Sequence, residues 1–330
     1  MSQPLTPDAG SLAPIAVAVS RLGVSSRPGE RLARHTSFKI GGPAECFVEP
    51  QDDQETLAVL EAARNLGAPV LVVGLGSNLL VSDRGFAGLV LSLARAHRQV
   101  AVEPGGLLAA GAGVSLAKAA HTAMRHGLSG LEFAVSIPGT VGGAVAMNAG
   151  AHGRSTADVV SRVRVWDPCR GAVVLQADEM QYAYRESRLQ QEPWVALDAW
   201  FHLESASAAA IQDAMRRHMD HRRATQPVGE KNAGSMFKNP PGDFAARLIE
   251  AVGAKGWQVG GAGVSTLHAN FIANDGTASA DDVLTLMRRV RAAVQERFGV
   301  ALTPEVRWVG PPEGEDGTTW DNLWLPADGA

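Results

Sequence analysis

The spacing of apolar residues along the chain predicts a mixture of helices and strands. Apolar residues recurring at helical spacing predict helices at Glu55–Leu66, Leu116–His126, Ala206–Arg223, Phe244–Val252 and Asp281–Phe298. Short apolar or alternating runs predict strands at Pro69–Val73, Leu89–Ala94, Val159–Trp166, Ala172–Leu175, Val195–Leu203, Asn270–Asn274 and Glu305–Val309. The pattern therefore indicates an α+β protein.

The order of these elements divides the chain into four segments. Residues 45–203 contain several strands and few helices, which predicts one α+β domain. Residues 204–310 alternate between helices and strands, which predicts a second compact α/β unit. We expect residues 1–44 to pack on the first domain, and residues 311–330 to form an acidic C-terminal tail.

Composition narrows the possible classes of function. The chain has 330 residues, of which 45% are hydrophobic and 19% charged, as in globular proteins with two or three domains. A formal net charge of −4 gives no electrostatic reason to bind nucleic acid. No apolar run has the length of a membrane span, and the apolar residues 12–19, which predict a helix or a strand, lack the basic segment that begins a secretory signal.

The cysteines and histidines give no reason to expect a disulfide framework or a metal site. Two cysteines, Cys46 and Cys169, are too few for either role, and this usage is typical of the reducing cytoplasm. His218 and His221 lie three apart on a predicted helix, but no third ligand is evident. We expect these two histidines to lie on a solvated helix face.

The stretch Ala134–Gly153 has an unusual composition, with five glycines and no charged residue. Glycine accepts positive φ and lets the backbone approach a bulky group. Successive main-chain N–H groups can also bind phosphate without a basic side chain. Two interpretations stand at this point: a backbone cradle for the phosphates of a large cofactor, or a buried and tightly turned loop.

A second glycine-rich turn, Gly74–Val81, follows a predicted strand. It begins like the Gly-x-Gly-x-x-Gly fingerprint of dinucleotide-binding folds, but Leu79 occupies the third glycine position and no clear amphipathic helix follows. The same test fails at Gly111–Gly113, where Leu116 occupies that position. The turn is therefore either a different phosphate cradle or a hairpin.

Seven motifs in a fixed order carry a resemblance to a known family. Taken singly, each has an ordinary explanation, such as a turn serine or an exposed arginine. The motifs are His35–Gly42, Gly74–Val81, Ile137–Gly143 with Met147–Gly150, Tyr184–Ser187, Ala233–Pro240, His268–Phe271 and Pro304–Arg307. Together they resemble the UDP-N-acetylenolpyruvoylglucosamine reductase (UDP-N-acetylmuramate dehydrogenase) family, bacterial flavoenzymes of peptidoglycan synthesis.

The resemblance implies an FAD-binding domain of the vanillyl-alcohol-oxidase (PCMH) type, followed by a substrate-binding domain. It explains why the Rossmann fingerprint fails, since this fold binds the dinucleotide differently. The FAD-binding residues that it implies are Lys39, Gly74, Leu75, Gly76, Ser77, Asn78, Leu79, Ile137, Pro138, Gly139, Thr140, Gly142, Gly143 and Asn148.

The resemblance also implies a reaction and its residues. NADPH reduces FAD, which then passes a hydride to the terminal carbon of UDP-N-acetylglucosamine enolpyruvate. Arg185 and Glu305 flank the resulting enolate-like intermediate, and Ser235 donates the proton. Because an ionised Glu305 would repel that intermediate, we expect its protonated form. The substrate-binding residues implied are Tyr184, Lys238 and Asn239.

Two residues depart from the family pattern, and two other functions remain as alternatives. Ser136 stands where the family usually has glycine, and His152 where it usually has tyrosine. One alternative is a flavin oxidase or dehydrogenase of the same fold that does not select UDP-sugars. The other is a catalytically silent nucleotide-sugar or flavin-binding protein. We expect a cytoplasmic monomer without a metal.

Overall fold

The computed structural model describes residues 13–310. Within this range the helices are α1 (Pro14–Arg21), α2 (Asp53–Leu66), α3 (Leu116–Arg125), α4 (Val141–Met147), α5 (Ala208–Thr225), α6 (Ala245–Ala251) and α7 (Ala280–Phe298). The strands are β1 (Ser26–Arg27), β2 (Ala44–Val48), β3 (Val70–Val72), β4 (Leu79–Val81), β5 (Phe86–Leu91), β6 (Val100–Glu103), β7 (Leu107–Gly111), β8 (Leu128–Ser129), β9 (Gly150–Ala151), β10 (Arg154–Ser155), β11 (Val160–Asp167), β12 (Gly171–Gln176), β13 (Val195–His202), β14 (Glu204–Ser205), β15 (Gln258–Val259), β16 (Ala262–Val264), β17 (Ile272–Asn274) and β18 (Arg307–Val309).

All five predicted helices are confirmed within two residues at each end, as α2, α3, α5, α6 and α7. The predicted hairpin is confirmed as β11 and β12, and the apolar N-terminal stretch forms helix α1. The structure adds helix α4 inside Ala134–Gly153, which the sequence had indicated only as a cradle or a loop. Thr140 begins this helix by accepting a hydrogen bond from the Gly143 N–H.

The two largest sheets belong to the first part of the fold. The larger is antiparallel with the order β12-β11-β13-β7-β6, and helices α3 and α4 pack against its core. The other has the order β1-β2-β5-β3, in which β2 and β3 run parallel to β5. Helices α1 and α2 share a separate apolar core with this second sheet, so the N-terminal helix is part of the first half of the molecule.

The C-terminal part has its own core, formed by α6, α7 and the antiparallel sheet β15-β16-β17. Helix α7 starts with a capping box between Ser279 and Asp282, and it ends at Gly299 with φ 68°. Helix α5 does not belong to this core, because its buried Ile211 and Met215 pack with the first part. The predicted boundary at residues 203 and 204 therefore falls too early, and we propose a boundary after α5.

One strand pair joins the two parts of the chain. Strand β18 runs parallel to β4, with Arg307 opposite Leu79 and Val309 opposite Val81. This pairing brings the residues just before β18 next to the turn 74–78. Among residues 13–310, no helix has both the length and the apolar character that a bilayer span requires. The predicted acidic tail, residues 311–330, lies outside the described residues.

Candidate active site

A cavity of about 1040 Å³ lies between the two glycine-rich segments and the residues that precede β18. This volume is at the upper end of the range of roughly 300–1,000 Å³ that is usual for ligand pockets. The cavity is lined by all of Gly74–Leu79 and Ile137–Thr140, by Gly142 and Gly143, and by Arg185, Ser235 and Glu305. Chain segments that are far apart in the sequence therefore meet at one site.

The turn after β3 has its shape because no side chain fits at two of its positions. Gly76 has φ 59°, and a Cβ atom there would lie 2.2 Å from the carbonyl oxygen of His35. A Cβ atom on Gly74 would lie 2.5 Å from Oγ1 of Thr140. Because both positions are glycine, the turn can pack closely against the N-terminal segment and the start of α4, and its main chain forms part of the cavity wall.

In the second segment Gly139 and Gly143 have room for a Cβ atom, whereas a Cβ atom on Gly142 would lie 2.9 Å from that of Ala112. The nearest atom to a Cβ built on Gly139 would be Ser77 Oγ at 3.8 Å, and on Gly143 it would be Thr140 Oγ1 at 3.7 Å. The Ser77 hydroxyl also donates a hydrogen bond to the carbonyl oxygen of Pro138, which ties the two glycine-rich segments together. The two segments form a continuous uncharged wall, and a cofactor with a long diphosphate-linked body fits such a surface.

A charged pair also lines the cavity. Arg185 Nε donates to Glu305 Oε1 at 2.9 Å, and Arg185 Nη2 donates to the carbonyl oxygen of Gly150 at 2.7 Å. The Arg185 side chain is 20% exposed and that of Glu305 is 17% exposed. Arg185 has φ 57°, a conformation that non-glycine residues adopt rarely and that concentrates at functional sites.

The main chain around Glu305 is fixed from both sides. Its N–H donates to the carbonyl oxygen of Met236 at 2.8 Å, and its own carbonyl oxygen accepts from Asn78 Nδ2 at 3.2 Å. Asn78 thus links the turn 74–79 to Glu305. Ser235 is next to Met236 in the same loop, which bridges to Phe271. The loop, the turn and the start of β18 are therefore held together by hydrogen bonds.

Burial shifts the pKa of Glu305. Removal from water raises the pKa of this carboxyl above its ordinary value, and the nearby charges of Arg185 and Lys238 oppose that rise without cancelling it. The direction agrees with the expectation that Glu305 acts in its protonated form.

Five predicted site residues do not line the cavity. Asn148 is buried and uses its whole amide within the protein, donating from Nδ2 to the Ala183 carbonyl oxygen and accepting at Oδ1 from the Ala157 N–H. It also has φ 42°. Asn148 therefore supports the loop that carries Arg185. Lys39 is exposed, with φ 60°.

The three predicted substrate-binding residues also lie outside the cavity lining. Lys238 Nζ forms an ion pair with Glu186 at 2.9 Å. Asn239 Oδ1 accepts from the Ala245 N–H at 3.0 Å, so this side chain caps the start of α6. The Tyr184 ring is half-exposed, and the guanidinium of Arg185 lies over it at 5.1 Å from the ring centroid.

Sequence analysis missed two cationic residues that line the cavity, Arg222 and Arg307. Arg222 Nη1 donates to the carbonyl oxygen of Ser136 at 2.7 Å, and burial lowers the pKa of its guanidinium. Arg307 is the last residue of the motif Pro304–Arg307, so the sequence did mark its position. Arg222 gave no signal, because only the packing of α5 brings its C-terminal end to the cavity.

The expectation for His218 and His221 was wrong in part. His218 is not fully solvated: its ring stacks on that of His152, with centroids 3.9 Å apart, whereas His221 is exposed. Among the described residues, 13–310, no group of three or more histidine, cysteine, aspartate or glutamate side chains is arranged to hold a metal ion.

The chain is similar to known proteins along most of its length. Residues 44–175 match the family described as "FAD binding domain", and residues 226–309 match "UDP-N-acetylenolpyruvoylglucosamine reductase, C-terminal domain". The chain is 51% identical over 301 residues to UDP-N-acetylenolpyruvoylglucosamine reductase 2 of Symbiobacterium thermophilum, covering 91% of this chain and 94% of that protein. It is 44% identical over 281 residues to UDP-N-acetylenolpyruvoylglucosamine reductase of Caldanaerobacter subterraneus, covering 85% and 92%.

A solved structure is similar over the same range. The crystal structure of UDP-N-acetylenolpyruvylglucosamine reductase from Thermus caldophilus matches with a TM-score of 0.74 and 34% identity, covering 87% of this chain and 100% of that one. Both the sequence and the fold are shared at this level, and the predicted fold class is confirmed. The chain therefore belongs to the UDP-N-acetylenolpyruvoylglucosamine reductase family.

Proposed function

We propose that this protein is an NADPH-dependent reductase that contains FAD and converts UDP-N-acetylglucosamine enolpyruvate to UDP-N-acetylmuramate for peptidoglycan synthesis. The observation that supports this most is the meeting of Arg185, Ser235 and Glu305 at one cavity whose other wall is an uncharged main-chain surface. Neither alternative function requires these three side chains together.

The cofactor would be held mainly by main-chain groups. The N–H groups of Ile137, Val141 and Gly142 already donate within the protein, so those of Gly74–Leu79, Gly139 and Thr140 would contact the cofactor. Gly139 and Gly143 would leave room for a bulky group. Arg222 and Arg307 would supply positive charge to a diphosphate. FAD, when bound, supplies a two-electron carrier that takes a hydride from NADPH and passes it to the enolpyruvyl double bond.

Arg185 and Glu305 would stabilise the charge that hydride addition creates. Addition at the terminal carbon leaves negative charge on the neighbouring carbon and its carboxylate. The always-charged guanidinium of Arg185 is already oriented by Glu305 and by Gly150, so it needs little reorganisation to bind that carboxylate. Protonated Glu305 would donate a hydrogen bond to the same group, consistent with the direction of its pKa shift.

Ser235 would complete the reduction by giving its hydroxyl proton to the carbon that bears the negative charge. One hydride and one proton then convert the carbon–carbon double bond to a single bond, and the serine regains a proton from water. Ser235 lines the cavity with both Arg185 and Glu305, and its hydroxyl makes no hydrogen bond to another described residue. A proton donor must reach the reacting carbon, and the Ser235 hydroxyl can rotate towards it.

The uridine diphosphate part of the substrate would bind outside the cavity, at Tyr184, Lys238 and Asn239. Lys238 Nζ is held by the half-exposed Glu186, and an incoming phosphate could replace that carboxylate as its partner. This arrangement lets the sugar nucleotide bind at the entrance while its enolpyruvyl group enters the cavity.

The purified full-length protein tests this function. We expect a yellow protein whose flavin is bleached anaerobically by NADPH, and whose colour returns on addition of UDP-N-acetylglucosamine enolpyruvate. UDP-N-acetylglucosamine without the enolpyruvyl group is the matched control and should not restore the colour. Colour restored equally by oxygen and unrelated alcohols would support an oxidase instead, and a flavin that NADPH never bleaches would support a silent binding protein.

We also propose that the protein acts as a monomer in the cytoplasm, where NADPH and nucleotide sugars are available. Light scattering coupled to size-exclusion chromatography tests the first part, with the chain mass of 34.6 kDa as the expected result.

A further inference from the structure

The two residues that depart from the family pattern contact each other. Ser136 Oγ lies 3.1 Å from Nε2 of His152. The same hydroxyl donates its only proton to the carbonyl oxygen of Phe133 at 2.9 Å, so towards His152 it can act only as an acceptor. His152 must then carry its proton on Nε2. The contact fixes the tautomer and direction of the ring.

His152 is also a turn residue of the hairpin formed by β9 and β10. It has φ 54° and Gly153 has φ 76°, so both central residues of this two-residue turn are in the left-handed region, as in a type I′ turn. The ring extends from the turn to helix α5. It stacks on His218 with centroids 3.9 Å apart and planes 21° apart, and it meets His221 edge-on at 5.5 Å.

The hairpin connects this histidine to the charged pair of the active site. The Gly150 carbonyl oxygen, in β9, accepts the 2.7 Å hydrogen bond from Arg185 Nη2. The other end of the same guanidinium donates to Glu305 at 2.9 Å. A shift of the hairpin would therefore move one of the anchors that orient Arg185.

We propose that His152 is a positioning residue: held between Ser136 and His218, it fixes the hairpin 150–155 and, through the Gly150 carbonyl oxygen, the orientation of the Arg185 guanidinium. Its effect on turnover rests on the proposed function, in which Arg185 binds the substrate carboxylate. The contact of His152 with Ser136 and His218 does not depend on that function.

The charges around the histidines make this arrangement sensitive to acid. Burial, followed by the neighbouring histidines, lowers the pKa of His152. Burial also lowers the pKa of His218, where Arg217 and His221 add to the effect and Glu132 opposes it. Arg222 is close to these rings, because it donates a hydrogen bond to the carbonyl oxygen of Ser136. Within the hairpin segment, Arg154 forms an ion pair with Asp158. Two stacked cationic rings would repel each other.

The sign of the pH effect follows from these directions. A histidine whose folded pKa lies below its unfolded value stabilises the folded arrangement above the unfolded pKa, about 6.5, and loses that contribution as pH falls through the folded pKa. We therefore expect the stack to loosen below about pH 6.5 and the turnover number to fall with it.

The first test reads the histidine directly, in full-length FAD-containing protein with ¹⁵N-labelled histidine. The His152 resonance, assigned by its loss in His152→Asn, should have the shifts of an Nε2–H ring and should titrate below the ordinary histidine range. An Nδ1–H ring, or a titration like that of an exposed histidine, would overturn the proposal.

The second test uses variants, with His121 as a matched exposed control on α3. His152→Asn keeps a residue that tolerates positive φ but removes the stacking ring. It should lower kcat for the enolpyruvyl sugar about 10- to 100-fold, leave flavin reduction by NADPH within about twofold, and remove the loss of kcat on the acid side. His218→Ala should act in the same direction although no hairpin residue is replaced, and His121→Ala should not change either rate.

Hydrogen exchange separates this inference from the proposed function. Amides of residues 148–155 should exchange faster in His152→Asn and His218→Ala than in wild type, and not in His121→Ala. If wild-type protein has no reductase activity, the proposed function fails while the exchange and tautomer results still test the contact. Wild-type exchange and wild-type kinetics in both His152→Asn and His218→Ala would overturn the proposal.

Discussion

The two walls of the cavity are built in opposite ways. One wall consists of Gly74–Leu79 and Ile137–Gly143, carries no charge and has glycine at five of its thirteen positions. The other wall carries Arg185 and Glu305, whose side chains are mostly buried and hydrogen-bonded to each other. The shape of the first wall depends on its glycines, and the chemistry of the second depends on the Arg185–Glu305 pair.

This difference predicts that substitutions on the two walls fail in different assays. A change on the glycine wall alters the space available to the backbone or to the cofactor, so it should appear as lost stability or lost FAD. A change on the charged wall alters interactions that matter as charge develops, so it should appear as slow turnover in a protein that still holds its cofactor.

The largest effect should come from Gly76→Ala. A Cβ atom there meets the His35 carbonyl oxygen at 2.2 Å in a backbone with φ 59°. We expect the free energy of unfolding to fall by about 3 kcal/mol or more, measured by urea denaturation without added FAD.

Gly139→Ala is the matched control for that change. Its Cβ would have no atom closer than 3.8 Å, and its φ is not positive. The free energy of unfolding should stay within about 0.5 kcal/mol of wild type. The added methyl should instead weaken FAD binding, measured by flavin fluorescence. If the free energy of unfolding fell equally in Gly76→Ala and Gly139→Ala, the two glycines would not differ in the way proposed, with Gly76 fixed by protein contacts and Gly139 leaving space for a ligand.

On the charged wall, Arg185→Lys should lower kcat about 10²- to 10³-fold without loss of bound FAD. Lysine keeps the charge but cannot contact both Glu305 and Gly150 with a planar group. Steady-state kinetics and flavin absorbance measure the two quantities. Arg188→Lys is the control, since Arg188 lies in the same loop, pairs with Glu192 and does not line the cavity. Loss of FAD from Arg185→Lys would contradict the separation of the walls.

Glu305 should make stability depend on pH in a defined direction. Its folded pKa lies above its unfolded value, chiefly because of burial, so the folded state binds the proton more tightly. Its contribution to stability is complete below the unfolded pKa and is lost as pH rises through the folded pKa. Relative to Glu305→Gln, wild type should therefore lose stability as pH rises from about 4.5. Thermal melts of both proteins across pH measure this, and a difference that grows in the opposite direction would contradict the protonated form.

The smallest effect should come from Glu186→Gln. Its ion pair with Lys238 is at the surface, with the Glu186 side chain 52% exposed. Such pairs contribute about 0–1 kcal/mol, so we expect little change in unfolding. Freed from its partner, Lys238 should lower KM for the UDP-sugar by a few fold at most. A large fall in kcat would show that the pair belongs to the charged wall rather than to the entrance.

Local signals in the sequence predicted much of the fold. Helix α7 was predicted from its apolar spacing, and its two ends were marked by Ser279 and Gly299. The strand predicted at Glu305–Val309 is shorter, β18, because its length is set by the parallel partner β4 far away in the chain. The same reason explains the misplaced boundary before α5, whose polar face gave no indication of which core its few apolar residues would join.

The candidate site was predictable in its residue types but not in its contacts. The motifs located Arg185, Ser235 and Glu305, yet the left-handed backbone at Arg185 depends on partners elsewhere in the chain. Ser136 and His152 were noted as separate departures, and only the hairpin turn brings them together. Asn148 was predicted to bind FAD from the resemblance of its motif, and nothing in the sequence indicated that its amide also hydrogen-bonds to Ala183 and Ala157.

Stopped-flow absorbance of Ser235→Ala under anaerobic conditions tests the central claim most directly. In the proposed mechanism main-chain groups hold the flavin and the Ser235 hydroxyl completes the reduction. We predict that NADPH bleaches the flavin at close to the wild-type rate, while reoxidation by UDP-N-acetylglucosamine enolpyruvate is slower by about 10²- to 10⁴-fold. Reoxidation and product formation at the wild-type rate would contradict it.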